Sequence, residues 1–306
     1  MALAIVIDEW DTRELVQAIG DLAPDIPVQV WPDIEDPEAV RLGLVWGRLP
    51  EDLFVRLPNM TALVSAGAGV DRLLSNEIPA GIRLGRLVLR SLATDMTAYC
   101  LGVILHRSRE FDDYAAQQAR RNWLPRPPLR PRIGILGMGQ LGSHLAARLL
   151  ELDFPVCGWR LSAAGEAPCP VTHGEPGLIQ LAEQSDFLVC LLPLTSQTRG
   201  VLSRELFRRC RPGAYLINAG RGGHLVDGDL LEALERGWLS GACLDVFEPE
   251  PLPADHPFWG HPAIRITPHV ASPTNQAHAA RAIVQDYRRL LSGQSLTHGV
   301  DRERGY

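Results

Sequence analysis

The sequence predicts an α/β protein with two doubly wound parallel sheets, and three observations carry that expectation. Short apolar runs of strand length alternate along the chain with segments whose apolar residues recur at helical spacing. The alternation occurs twice, before and after residues 123–131, W-L-P-R-P-P-L-R-P, which hold too much proline for a helix or a central strand. The second alternation opens on a glycine-spaced turn between an apolar run and a helical pattern. A length of 306 residues fits two such domains.

In the first alternation, residues 3–7 read as a strand and residues 12–19 as a helix with Thr12 as its N-cap. Strands follow at 28–31 and 42–46, with a helical pattern near 37–41 between them. A strand at 62–65 runs into Gly67-Ala68-Gly69-Val70-Asp71, and short β pieces fill 78–89. This half lacks a phosphate-binding fingerprint and is the candidate substrate domain. Tyr99, Leu101, Val103, Leu105, Phe111 and Tyr114 then recur at helical spacing without an internal proline, which predicts one long helix over 97–122.

After the proline-rich connector, strands are expected at 133–136, 156–159, 187–191, 215–218, 242–246 and 264–267, roughly six in all. Helices at 140–152, 177–184, 203–209 and 227–236 alternate with them, the order of a doubly wound sheet. A last helix over 276–291 is expected to fold back onto the first domain.

Ile133, Ile135 and Leu136 precede Gly137-Met138-Gly139-Gln140-Leu141-Gly142, and Leu145 and Leu149 continue at helical spacing. Strand, tight turn and helix together make G-x-G-x-x-G a dinucleotide-binding pattern. Gly137 suits the turn, Gly139 a close approach to pyrophosphate, and Gly142 close packing of helix on strand. Amide groups at the helix start would face the phosphates. At the end of the second strand, where an NAD site places an acid on the ribose, the chain reads C-G-W-R-L-S. Arg160, with Ser162 just beyond, suits a 2′-phosphate that a carboxylate would repel. NADP(H) is the expected cofactor and NAD(H) the second choice.

Composition narrows the class. With 46% hydrophobic and 22% charged residues the chain is globular, and a net charge of −6 without a basic block argues against nucleic acid. No apolar run nears the ~18 residues of a membrane span, and the N-terminus lacks a basic signal-peptide region. Six scattered cysteines read as free thiols of a reducing cytoplasm, and none has metal spacing.

Five stretches, in this order, resemble the D-isomer-specific 2-hydroxyacid dehydrogenase family: I-G-I-L-G-M-G-Q-L-G (133–142), L-L-P-L-T-S-Q-T-R-G-V-L (191–202), I-N-A-G-R-G-G-H-L-V-D (217–227), L-D-V-F-E-P-E-P-L-P (244–253) and I-T-P-H-V-A (266–271). V-W at 45–46, G-A-G-V-D at 67–71 and F-D-D-Y at 111–114 look like its glyoxylate/hydroxypyruvate reductase A branch. The resemblance implies a Rossmann cofactor domain, 98–271, inserted in a split flavodoxin-like substrate domain, 1–97 plus 272–306.

It also implies a catalytic set of Arg221, Glu250 and His269. The chemistry wants these types. A guanidinium can grip a 2-keto acid's carboxylate with two parallel bonds. A protonated histidine can donate to the carbonyl oxygen as hydride arrives, and a carboxylate behind it holds the tautomer. Glu248, two residues from Glu250, is a rival for that last part. Further cofactor contacts are implied at Leu192, Pro193, Thr198, Ala219, Gly220 and Asp245, and substrate contacts at Trp46 and the amides of Ala68, Gly69 and Val70. The expected activity is NADPH-dependent reduction of small 2-keto acids such as glyoxylate or hydroxypyruvate, by a homodimer joined through the helix near 97–122. The competing reading is a dinucleotide-sensing scaffold or co-repressor on the same fold; an intact Arg221–Glu250–His269 set argues against it.

Overall fold

The computed structural model describes residues 1–162, 165–303 and 305, which form two compact units, Met1–Leu92 with Thr274–Tyr306, and Ala93–Pro273. The first unit opens with β1 (Ala2–Val6), α1 (Arg13–Leu22), β2 (Val28–Val30) and β3 (Val40–Val45). It continues with α2 (Leu53–Arg56), β4 (Ala62–Ser65), α3 (Asp71–Leu74) and β5 (Arg83–Arg86). The strands lie in the order β2-β1-β3-β4-β5, all parallel. Every residue of β1 and β4 is buried, because a parallel sheet is covered on both faces. The expected β pieces over 78–89 reduce to β5 alone.

Thr12 occupies the N-cap position of α1, as expected, but its side chain makes no capping bond. Asp11 accepts from the Arg13 amide at 3.0 Å, and Gln276 Oε1 accepts from the Leu15 amide at 2.8 Å. The helix start is thus satisfied from a segment 261 residues away, which no local pattern encodes.

The predicted single helix over 97–122 is two helices, α4 (Arg90–Ser108) and α5 (Phe111–Ala119). Between them Glu110 takes a left-handed conformation, φ 54°, and its carboxylate meets Arg126 at 3.0 Å. The break costs so few residues that apolar spacing resumes beyond it, so periodicity alone reads straight through. Residues 122–130 form no regular element; Gln117 Oε1 and Tyr114 Oη accept the amides of Leu124 and Arg126 at 3.0 and 2.9 Å and tie the start of the segment to α5.

The second unit continues with β6 (Ile133–Leu136), α6 (Gln140–Glu151), β7 (Val156–Arg160), β8 (Val171–His173), α7 (Gly174–Gln184) and β9 (Phe187–Cys190). Then come α8 (Arg204–Phe207), β10 (Ala214–Asn218), α9 (Asp227–Glu235), β11 (Leu239–Leu244) and β12 (Ile264–Ile266). The parallel order is β12-β11-β10-β9-β6-β7-β8, seven strands where about six were expected. The addition is β8, three residues at the sheet edge, two half-buried and His173 exposed, too short to show a pattern. Between β6 and β9 the connections reverse direction, the switch point where such sheets leave a crevice at their carboxyl ends. The chain closes with α10 (Gln276–Leu291), which packs on α1 within the first unit. No described helix is long and apolar enough to cross a membrane.

Candidate active site

The expected ligand-binding residues lie where β strands of each unit end. In the second unit, β6 delivers the glycine turn. Gly137 adopts φ 104°, open to glycine and strained for other residues. A Cβ on Gly142 would stand 2.0 Å from the Gly137 carbonyl oxygen, so α6 can lie this close to β6 only with glycine there. A Cβ on Gly139 would meet no atom within 4 Å, and Gly139 caps α6 without a side-chain bond. The turn is therefore an open backbone cradle at a helix start, where the first amides lack intrahelical acceptors. That geometry fits a dinucleotide's phosphates. Met138 is buried beneath the cradle, Gln140 is exposed beside it and Leu141 is half-buried.

Arg160 ends β7, and its Nη2 donates to the Gly165 carbonyl at 2.5 Å. Ser162 is exposed just after it. After β9, Leu192 is buried and Pro193 begins a turn closed by Thr198, whose Oγ1 donates to the Pro193 carbonyl at 2.7 Å and accepts from the Thr195 amide at 2.8 Å. Thr198 is buried and its hydroxyl is spent inside the turn, so it shapes this loop from within.

After β10 the chain runs through buried Ala219 and Gly220 to Arg221, whose Nη1 donates to the Gly220 carbonyl at 2.8 Å. A Cβ on Gly222 would stand 1.9 Å from the Phe247 carbonyl carbon. Only glycine allows this backbone to touch the 247–248 segment, which draws the Arg221 loop against the one carrying Glu250.

Glu250 Oε1 accepts from the Phe247 amide at 3.0 Å, and its Oε2 lies 2.9 Å from His269 Nδ1. A carboxylate only accepts, so Nδ1 carries a proton and Nε2 is the atom left to face a reactant. The rival is resolved by geometry: Glu248 turns to Arg199, at 2.6 and 3.3 Å. His269 sits at φ 53°. Asp245 holds it there. The Asp245 backbone carbonyl accepts the His269 amide at 2.8 Å, and the Asp245 carboxylate accepts from Thr267 Oγ1 at 2.5 Å and from the Val270 and Ala271 amides at 2.9 Å each. Tyr99 of α4 extends this network, its hydroxyl 2.7 Å from Thr267 Oγ1, and burial pushes its phenol up. Neither Tyr99 nor Thr267 was singled out for a site from sequence, since the one reads as an apolar helix position and the other as a strand end.

In the first unit, the turn after β4 is held by its own neighbours. Ser65 Oγ donates to the Gly69 carbonyl at 2.9 Å, Arg86 Nη1 to the Ala68 carbonyl at 3.2 Å, and Thr274 Oγ1 to the Ala66 carbonyl at 2.9 Å. Trp46, half-buried at the end of β3, packs so closely on Gly67 that a Cβ there would lie 2.5 Å from its ring. Ala68 and Gly69 are half-buried and Val70 is buried.

A switch-point cradle for a dinucleotide beside an arginine loop and a carboxylate–histidine pair is the arrangement of a nucleotide-dependent oxidoreductase. The profile of the D-isomer specific 2-hydroxyacid dehydrogenase NAD binding domain matches residues 101–271, and the chain belongs to that family. Within it, the chain stands in the glyoxylate/hydroxypyruvate reductase A branch. A protein of that name from Photorhabdus laumondii is 36% identical over 306 residues, 97% of each chain. A D-isomer specific 2-hydroxyacid dehydrogenase from Xanthobacter autotrophicus, solved with NADPH and MES, superposes with a TM-score of 0.94 at 32% identity, covering 100% of this chain and 99% of that one. An NADPH-dependent glyoxylate/hydroxypyruvate reductase from Sinorhizobium meliloti, solved with NADP and sulfate, gives 0.92 at 33% identity, covering 100% of both.

Proposed function

We propose that the protein reduces small 2-keto acids, glyoxylate or hydroxypyruvate, to 2-hydroxy acids with NADPH. The observation that carries the reading is the Glu250–His269 pair, 2.9 Å apart, which leaves His269 Nε2 as a directed proton donor. NADPH, held by the 137–142 cradle, supplies the hydride. Protonated His269 donates from Nε2 to the carbonyl oxygen, where negative charge develops. Glu250, accepting from Nδ1, holds the ring's orientation and tautomer. Arg221 binds the carboxylate as a planar fork. Arg160, whose place at the end of β7 suits the 2′-phosphate, selects NADPH over NADH. The NADPH and NADP of the Xanthobacter and Sinorhizobium structures support that choice, and the names of the relatives support the substrates.

The test is NADPH and NADH oxidation by the purified protein against a panel of 2-keto acids. Turnover of glyoxylate or hydroxypyruvate with NADPH preferred is expected. Nucleotide binding without turnover of any keto acid would replace the reading with the sensor alternative. Homodimerisation is part of the proposal: Phe111, Trp123, Leu124 and Leu129 are exposed within one stretch of the second unit, and exposed apolar side chains that cluster mark association surfaces. Sedimentation at twice the chain mass is the expected result.

A further inference from the structure

His224 is buried completely and has no part in the roles assigned above. It ends the helical turn Gly222–His224 that follows Arg221. Its Nδ1 lies 3.1 Å from the Arg221 backbone nitrogen, and its Nε2 lies 3.2 Å from the Pro193 carbonyl oxygen. An amide N–H only donates, so Nδ1 accepts; a carbonyl only accepts, so Nε2 carries the proton. The neutral Nε2–H tautomer is the form that makes both bonds. The same Pro193 carbonyl receives the Thr198 hydroxyl, so Nε2 reaches the atom that closes the 193–198 turn. Gly220 packs on the ring, where a Cβ would stand 3.1 Å from Nδ1.

One imidazole therefore joins two loops that share no sequence neighbourhood. We propose that His224 is a positioning residue with a separate duty at each nitrogen: Nδ1 sets the Arg221 backbone for the keto acid, and Nε2 sets the 193–198 turn for the dinucleotide. This rests on the reading of Arg221 given under the proposed function and on the cofactor contacts that the family resemblance implies at Pro193 and Thr198. The bonds lie on opposite sides of the ring, so they can be removed one at a time. An asparagine places its carbonyl near the position of Nδ1, and a glutamine places its amide near that of Nε2.

His224→Asn should keep the Arg221 bond and lose the Pro193 bond. Removing one of the two donors to the Pro193 carbonyl leaves the turn held there by Thr198 alone, and the loosened turn should raise the NADPH KM about tenfold, with the keto acid KM near wild type. His224→Gln should do the reverse, raising the keto acid KM and lowering kcat about tenfold while the NADPH KM holds. A merely structural role would shift both KM values together in both variants. Parallel shifts, or none, overturn the proposal. The wild-type protein gives an independent reading: ring nitrogen chemical shifts of His224 at pH 7 should show Nε2 protonated and Nδ1 bare, and the opposite tautomer overturns the proposal whether or not the variants fold. Arg221→Lys separates the two levels. If it leaves keto acid kinetics unchanged, the reading of Arg221 has failed. If it is impaired while the His224 variants show no split, the positioning role alone has failed.

Discussion

The glycine turn at 137–142 and the Glu250–His269 pair occupy the carboxyl ends of strands in one sheet, yet they are made in opposite ways. The turn is six consecutive residues whose useful groups are backbone amides, shaped by Gly137 at φ 104° and by the absence of a Cβ at Gly142. The pair joins residues 19 positions apart, and its geometry depends on Asp245, Thr267 and Tyr99 holding the His269 loop. Binding phosphate needs many modest donors from rigid backbone. Moving a proton needs one side chain in one tautomer at one place. The two regions should therefore fail separately.

The largest separation is expected from His269→Ala. It should lower kcat by about 10²–10⁴ while NADPH affinity, measured by nucleotide fluorescence, stays near wild type. A near wild-type rate would assign the proton donor elsewhere.

Arg160→Asp should break the cofactor side and spare the chemistry. On the proposed role of Arg160, the change removes its pair with the 2′-phosphate and sets a like charge there, so the ratio of kcat/KM for NADPH over NADH should fall about a hundredfold. The loss should lie in cofactor KM, because that phosphate is remote from the reacting carbon. An unchanged ratio would move discrimination to another contact, with Ser162 next in line.

Arg221→Lys keeps the charge and loses the fork. We expect keto acid kcat/KM to fall roughly ten- to a hundredfold with NADPH KM unchanged. Full retention would show that Arg221 does not grip the carboxylate.

The smallest effect concerns support of β6, the strand that ends in the cradle. Asp186 accepts the Arg132 amide at 2.9 Å and pairs with the Arg132 and Arg211 side chains at 3.1 and 2.9 Å. Burial opposes ionisation of Asp186, but the arginine partners outweigh it and hold the carboxyl below the usual range. A lowered folded-state value adds stability above the unfolded value, near 3.9, and that stability disappears as pH falls through the folded value. Asp186→Asn should therefore melt below wild type at pH 7, and the gap in Tm should narrow below pH 4. A gap that widens in acid would contradict the sign.

Much of the fold was legible because its signals are local. A strand buried on both faces shows itself as an apolar run, and a helix as a stripe, so most elements of both sheets could be read in order. The exceptions have physical causes. β8 is three residues of an edge strand, none of them buried, too short to carry a pattern. Glu110 interrupts a helix without disturbing the apolar spacing on either side. The site was legible as residue types carried by a resemblance, whereas the roles of individual side chains were not. Glu248 and Glu250 stand two residues apart in the same E-P-E-P run, and only the fold sends one to Arg199 and the other to His269.

By itself the sequence determined the β/α alternation and the cradle, since both depend on conformational preference and on which residues lack a Cβ, properties each short segment carries with it. Tertiary structure alone decided which distant groups met. It brought Gln276 to the start of α1, laid Gly222 against Phe247, and seated His224 between Arg221 and Pro193. These contacts are directional and singular, repeating at no period along the chain, so they come into being only when packing places both partners within reach.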